Sequence, residues 1–284
     1  MPTIKVGDTQ LYYEAHGAGE SLVLIPGFGF GVWMWFKQVP ALAQKFRTIV
    51  FDPRGIGCSS KPTQPFSIRT LADDVAALFD ALALERAHVL GASFGGFVAQ
   101  EFALAYPEKM DRLILCCTSF GGARHLPPGE RVLQALASTE RLNTPERVRK
   151  SLRLSFSPQY LAEQTEEVER MIAMRLAHPV SDEVYSGQLG AAMSFDAAVR
   201  VDLIDAPTLV ITGDEDRVVP ADNSRHLAAI IPRARLQVIA GGSHQFFVER
   251  ADEFNRAVIE FINEADALVR PPLQTYEQLS EQDA

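Results

Sequence analysis

The chain is short of cysteine, of cationic residues and of long apolar runs, and each shortage closes off a class of protein. Only three cysteines occur in 284 residues: Cys58, Cys116 and Cys117. An odd number, with two adjacent in an apolar run, is no disulfide framework, and buried reduced thiols are expected. Lys and Arg number 27 against 36 Asp and Glu, a net charge of −9. A surface of that sign repels phosphate polyanions, so nucleic acid and anionic membrane are not expected partners. No stretch reaches the roughly 18 apolar residues of a membrane span. Residues 1–10 lack the apolar centre of a secretory signal, so a soluble cytoplasmic protein is expected.

Several chemical motifs are also missing. There is no G-x-x-x-x-G-K-S/T phosphate loop, no H-E-x-x-H or C-x-x-C pair, and no convincing dinucleotide-binding glycine loop. Neither a metal nor a cofactor is expected. No internal repeat appears, so a solenoid is excluded.

What is present is an ordinary globular mixture, 47% hydrophobic and 22% charged, able to bury a sizeable core. The length is large for one small domain and short for two. Residues 4–6 and 11–13 flank a Gly7-Asp8 turn and read as a hairpin. Ser21–Ile25, Arg47–Phe51 and residues 87–90, 112–117, 208–212 and 236–239 are short apolar runs, as in strands buried on both faces. Leu71, Val75, Leu78 and Leu82 make one helical stripe; Phe94–Ala105 is apolar on nearly all sides; Phe254, Val258 and Phe261 mark a last helix. The alternation predicts an α/β fold with a mostly parallel sheet flanked by helices.

One block breaks the pattern. Residues 121–205 contain no convincing buried strand, but Thr144-Pro145-Glu146 and Ser157-Pro158 are helix starts. The expected organisation is a core of residues 1–120 and 206–284, interrupted by a helical cap over 121–205, with a polar tail from about residue 269.

The sharpest motif is Gly91-Ala92-Ser93-Phe94-Gly95-Gly96, set between an apolar run and an apolar helix. A serine on a tight strand-to-helix turn needs small residues two positions to either side, and the helix start favours a developing oxyanion. A serine hydroxyl is a weak nucleophile and needs a base. Of six histidines, His244 follows the last strand in a glycine-rich turn. It lies at the end of the sheet where Ser93 emerges and where open sheets gather their active sites. The preceding strand leads into Asp214, Glu215 and Asp216, three carboxylates that could orient the imidazole.

The motif and the order Ser, Asp, His resemble the α/β-hydrolase superfamily with an inserted helical cap, from about Gly7 to Leu268. The resemblance implies Ser93 as nucleophile, His244 as base and Asp216 as acid, with Asp214 the runner-up. It places the oxyanion donors at the backbone N–H groups of Phe28 and Phe94. The family commonly has His-Gly before that loop; this chain has Pro26-Gly27. Aromatics crowd the same region, and Phe30, Trp33, Trp35, Phe195 and Phe246 are candidates to line a pocket, with Met193 and Phe156 covering it. No Lys or Arg adjoins the nucleophile in sequence, which favours a largely apolar acyl group.

The expected activity is hydrolysis of a small to medium carboxylic ester through an acyl-enzyme. Ser93 argues against the dehalogenases and epoxide hydrolases of similar plan, which carry Asp there. An enol-lactonase, a carbon–carbon bond hydrolase, a cofactor-free haloperoxidase or perhydrolase, and a ligand receptor on a hydrolase scaffold are the alternatives. A lactone carboxylate would call for a basic pocket; a receptor would bind without turnover. Oligomeric state is not readable from the sequence.

Overall fold

The computed structural model describes residues 2–138 and 143–264. The chain opens with β1 (Thr3–Val6), β2 (Thr9–His16) and β3 (Ser21–Ile25), followed by the short α1 (Val39–Leu42) and β4 (Arg47–Phe51). Then come α2 (Ile68–Ala81), β5 (Ala87–Ala92), α3 (Phe94–Ala105) and β6 (Met110–Cys116). Helices α4 (Glu130–Ala137), α5 (Pro145–Ser155), α6 (Pro158–Glu163), α7 (Thr165–Ala177) and α8 (Asp182–Ser194) follow in succession. The chain returns through β7 (Thr208–Gly213), α9 (Ala221–Ile230), β8 (Ala234–Ile239), α10 (Phe246–Glu249) and α11 (Ala251–Asn263).

The strands form one sheet of eight in the order β1-β2-β4-β3-β5-β6-β7-β8. β2 runs antiparallel to both its neighbours, and every pairing from β4 to β8 is parallel. The apolar runs explain this arrangement. In β3, Val23 and Ile25 enter the core beneath α2 and α3, while Leu22 and Leu24 enter the core beneath α11. A period-two chain with both faces apolar must be covered on both sides. Burying Phe254, Val258 and Phe261 of α11 contributes roughly 1.5–3 kcal/mol per side chain.

Local chemistry sets the helix ends. Ser67 and Thr70 form a reciprocal capping box at the start of α2. Thr144, Ser157 and Ser181 accept from the backbone N–H of Arg147, Tyr160 and Val184. Pro145 and Pro158 then occupy the first helical position, where no N–H is needed. Among the described residues the only pairing within 121–205 is an isolated bridge between Gly121 and Asp196, at the neck of this helical segment. The expected tail from about residue 269 lies outside the described residues. No helix among those described is long and apolar enough to cross a membrane.

Candidate active site

Ser93 occupies the turn between β5 and α3 with φ 53° and ψ −117°. A non-glycine residue pays a strain of order 1–3 kcal/mol there, so the surroundings must impose it. Ser93 N donates to Cys116 O at 2.8 Å, and Ser93 O accepts from Gly96 N and Thr118 Oγ1, each at 2.8 Å. The neighbouring glycines are sterically required. A Cβ on Gly91 would lie 2.3 Å from Gly95 O, and one on Gly95 2.2 Å from Ile25 O.

His244 and Asp216 come from the loops after β8 and β7. A Cβ on Gly213 would sit 2.1 Å from Gly242 O, so these strand ends approach backbone to backbone. Asp216 Oδ2 lies 2.7 Å from His244 Nδ1, and His244 Nε2 lies 3.1 Å from Ser93 Oγ. A carboxylate can only accept, so Nδ1 carries the proton and Nε2 is left to accept from the serine hydroxyl. Asp216 Oδ1 accepts from Val218 N and Val219 N, both at 2.8 Å. Burial by itself disfavours a charged imidazole, but the Asp216 carboxylate and the neighbouring Cys117 sulfur together outweigh it and hold His244 well above the ordinary value.

The other two carboxylates of that loop are separated from the imidazole. Asp214 accepts from Gly241 N at 2.7 Å, tying the β7 loop to the β8 loop, and Glu215 is exposed. The histidine loop is also bound to the helical segment: Gln245 N and Ser243 Oγ both donate to Ser155 O, at 2.9 and 2.8 Å.

Residues 27–30 form a turn closed by Phe30 N donating to Gly27 O at 3.1 Å, with Gly29 at φ +70°. A Cβ on Gly27 would lie 3.7 Å from Ser93 Cβ, so this loop borders the serine. Neither Phe28 N–H nor Phe94 N–H has an acceptor among the described residues. The two rings meet edge to face, centroids 5.8 Å apart.

The pocket candidates divide. Phe30 and Trp33 stay half-buried, in contact with each other, and Trp33 meets His178 beyond the end of α7. Phe195 stacks on Phe97 of α3 at 4.8 Å. Trp35 and Phe246 are corrections: both are fully buried. Trp35 sits on the inward side of a helical turn and packs on Phe247, while Phe246 packs on Phe254 of α11. Met193 covers nothing, being 79% exposed, and Phe156 is buried against Tyr160. Cys116 and Cys117 are buried as expected, but Cys58 is exposed.

Two features escaped the sequence. Arg175 of α7 points its guanidinium at the loop, with Nη2 3.8 Å from where a side chain on Gly29 would begin. Its Nη1 donates to His178 O, no carboxylate pairs with it among the described residues, and burial lowers its pKa. Gln188 of α8 is fully buried, and its Oε1 accepts from Gly29 N at 2.8 Å. Its Nε2 has no partner among the described residues, a cost of about 1–3 kcal/mol. Both contacts span more than a hundred residues, so no local spacing announces them.

Cys117 Sγ lies within 4.8 Å of ligand atoms of Asp216 and His244. Burial pushes its thiol well up, whereas a metal needs the thiolate, and the carboxylate and both ring nitrogens are already engaged. The trio does not fit a resident metal. A cavity of about 560 Å³ lined by Arg86, His88 and Arg112 opens at the opposite ends of the strands, roughly 20 Å along β5 from Ser93.

The model of the alpha/beta hydrolase fold matches residues 20–251. The relative named "Putative carbamate hydrolase RutD" in Azorhizobium caulinodans is 33% identical, over 94% of this chain and 100% of its own. The crystal structure of a hydrolase from Pseudomonas aeruginosa is 34% identical with a TM-score of 0.81, covering 93% of this chain and 98% of that one. The enol-lactonase from Burkholderia xenovorans is 29% identical with a TM-score of 0.82, covering 93% and 100%. The chain belongs to the α/β-hydrolase fold family and is a hydrolase.

Proposed function

We propose that the protein is a serine hydrolase that cleaves a small carboxylic ester through a covalent acyl-enzyme. The observation that carries this reading is the continuous relay from Asp216 through His244 to Ser93. Ser93 Oγ attacks the ester carbonyl carbon while His244 Nε2 takes the hydroxyl proton. The carbonyl oxygen becomes an oxyanion between the N–H groups of Phe28 and Phe94, which have no acceptor among the described residues. The C–O bond then breaks, and the alkoxide leaves as the alcohol with the proton from His244. Water, deprotonated by His244, attacks the acyl carbon and releases the acid and free Ser93. Asp216 keeps the imidazole in the tautomer this cycle needs and stabilises its charged form. Helices α4 to α8 act as a cap that excludes water and sets substrate size.

The test is a panel of p-nitrophenyl acyl esters with graded chain length, alongside fluorophosphonate labelling. Wild type should turn over with a burst and label at Ser93; full turnover by Ser93→Ala would overturn the reading. A second reading, an enol-lactone or other substrate bearing a carboxylate, is favoured by Arg175, a half-buried cation lacking a carboxylate partner among the described residues. Carboxylate-bearing substrates should then outcompete neutral esters, and Arg175→Gln should erase that preference by raising KM at least tenfold for the anionic ones alone.

A further inference from the structure

Helix α8 lays one face on the turn of residues 27–30. Val184, Tyr185, Gln188 and Ala191 form its buried stripe, at the spacing of a single helical face. Tyr185 stands edge-on to Phe28 with centroids 4.8 Å apart, and Val184 joins the same apolar cluster. Between these apolar contacts lies one polar one, from Gly29 N to Gln188 Oε1. A backbone N–H can only donate, so the oxygen of the amide must face it, which fixes the side-chain orientation. That bond is the one hydrogen bond the Gln188 side chain makes among the described residues, where its Nε2 has no partner. An apolar residue of equal length would pack at this place without the unpaired amide. Such a residue would in turn leave the buried Gly29 N–H without its acceptor, so what the glutamine specifically supplies is the bond to the loop.

We propose that Gln188 is a positioning residue that aims the Phe28 N–H at the substrate carbonyl and makes that aim depend on the docking of α8. The turn is closed at one end by Phe30 N on Gly27 O. Anchoring Gly29 N–H from outside fixes the peptide between Phe28 and Gly29 as well. With both held, the preceding peptide, which carries Phe28 N–H, cannot rotate away from Ser93. Gly29 would otherwise allow that rotation, since a glycine visits positive and negative φ with little penalty. The inference rests on the serine-hydrolase reading above. Because Gln188 acts through the loop, its loss should fall on kcat, and equally for short and long acyl groups.

Gln188→Met keeps the volume and removes the acceptor. Losing an oxyanion donor outright costs about 10²–10³ in kcat, and a donor left in place but misaimed should cost about 10- to 100-fold. The expected result is a kcat loss in that range, constant across the ester panel, with KM within about twofold and labelling by a fluorophosphonate slowed in proportion. Gln188→Asn, which keeps the amide and loses only reach, carries the same expectation should the Met variant not fold. A kcat within twofold of wild type in either folded variant would overturn the proposal, as would a loss that appears only in KM or only for long acyl groups. If wild type itself neither labels nor turns over, it is the hydrolase reading that fails.

Discussion

Substituting Gly95 by alanine tests how tightly the nucleophile turn and the oxyanion loop are registered. The new Cβ would lie 2.2 Å from Ile25 O, 2.6 Å from Pro26 O and 2.9 Å from Ile25 C. These are backbone atoms at the end of β3, entering the loop that carries Phe28, so no side chain can swing aside. Close carbon–oxygen contacts are near 3.3 Å, so α3 and the loop must separate by about 1.1 Å. Overpacking of this kind costs about 1–3 kcal/mol of stability. The catalytic effect should be larger, because Phe94 N–H moves with the helix and Phe28 N–H with the loop. A misplacement of about 1 Å costs about 10²-fold, so kcat should fall by roughly that factor while the fold persists. The assay is kcat and KM on a short p-nitrophenyl ester beside a thermal melt. Gly190→Ala in α8 is the control, since its Cβ would meet nothing within 4 Å. A Gly95→Ala variant with wild-type kcat would refute the registration argument.

Asp216→Asn should lower kcat by about 10⁴ through loss of the correct tautomer, whereas replacing Asp214, whose carboxylate accepts from Gly241 N, by Asn should cost less than tenfold; steady-state kinetics of the two variants decide the acid. The base must be neutral and Asp216 raises its pKa, so the acid limb of kcat/KM should have its midpoint above the ordinary imidazole value of about 6.5. Linkage has the matching sign: the His244–Asp216 pair stabilises fully below that unfolded value and loses its contribution as pH rises through the higher folded one. Melts of His244→Ala should therefore show a larger deficit at pH 5 than at pH 9. Gly190→Ala should raise the melting temperature by about 2 °C, for a gain of about 0.4–1 kcal/mol in helix and unfolded-chain terms. Asp74→Ala removes the two bonds at 2.6 and 2.7 Å that hold the buried Arg54 and leaves it the longer one to the exposed Asp8 at 3.2 Å, and should cost up to about 3–5 kcal/mol in urea unfolding.

The parts of the fold that were legible in the sequence are those fixed by local physics. Apolar runs bounded by glycine and proline gave the parallel strands to within a residue or two. Thr144-Pro145 and Ser157-Pro158 open α5 and α6 because a capping hydroxyl and a missing N–H are properties of the residues themselves. Ser93 was legible for the same reason: its turn demands small neighbours, and the glycine contacts at 2.2 and 2.3 Å show why. The acid of the proposed triad was only partly legible. Three carboxylates on one loop are alike in sequence, and what separates them is which backbone N–H each one faces.

The pocket was the least legible part, and the errors share one cause. Trp35 lies near Phe28 in sequence and Phe246 lies two residues from His244, yet closeness along the chain says nothing about which way a side chain points. Trp35 sits on the inward side of a helical turn, and Phe246 begins α10 and meets Phe254. Conversely, Arg175 and Gln188 reach Gly29 from 146 and 159 residues away. Their arrival depends on how α7 and α8 dock, which is decided by the whole apolar face of each helix. The absence of Lys or Arg beside Ser93 in sequence is for that reason silent on a cation that arrives from α7. The cation near Gly29 comes from α7, so its place at the loop depends on how that helix docks. On the carboxylate-substrate reading, an Arg175 variant should change KM for anions and leave the Ser93 labelling rate unchanged.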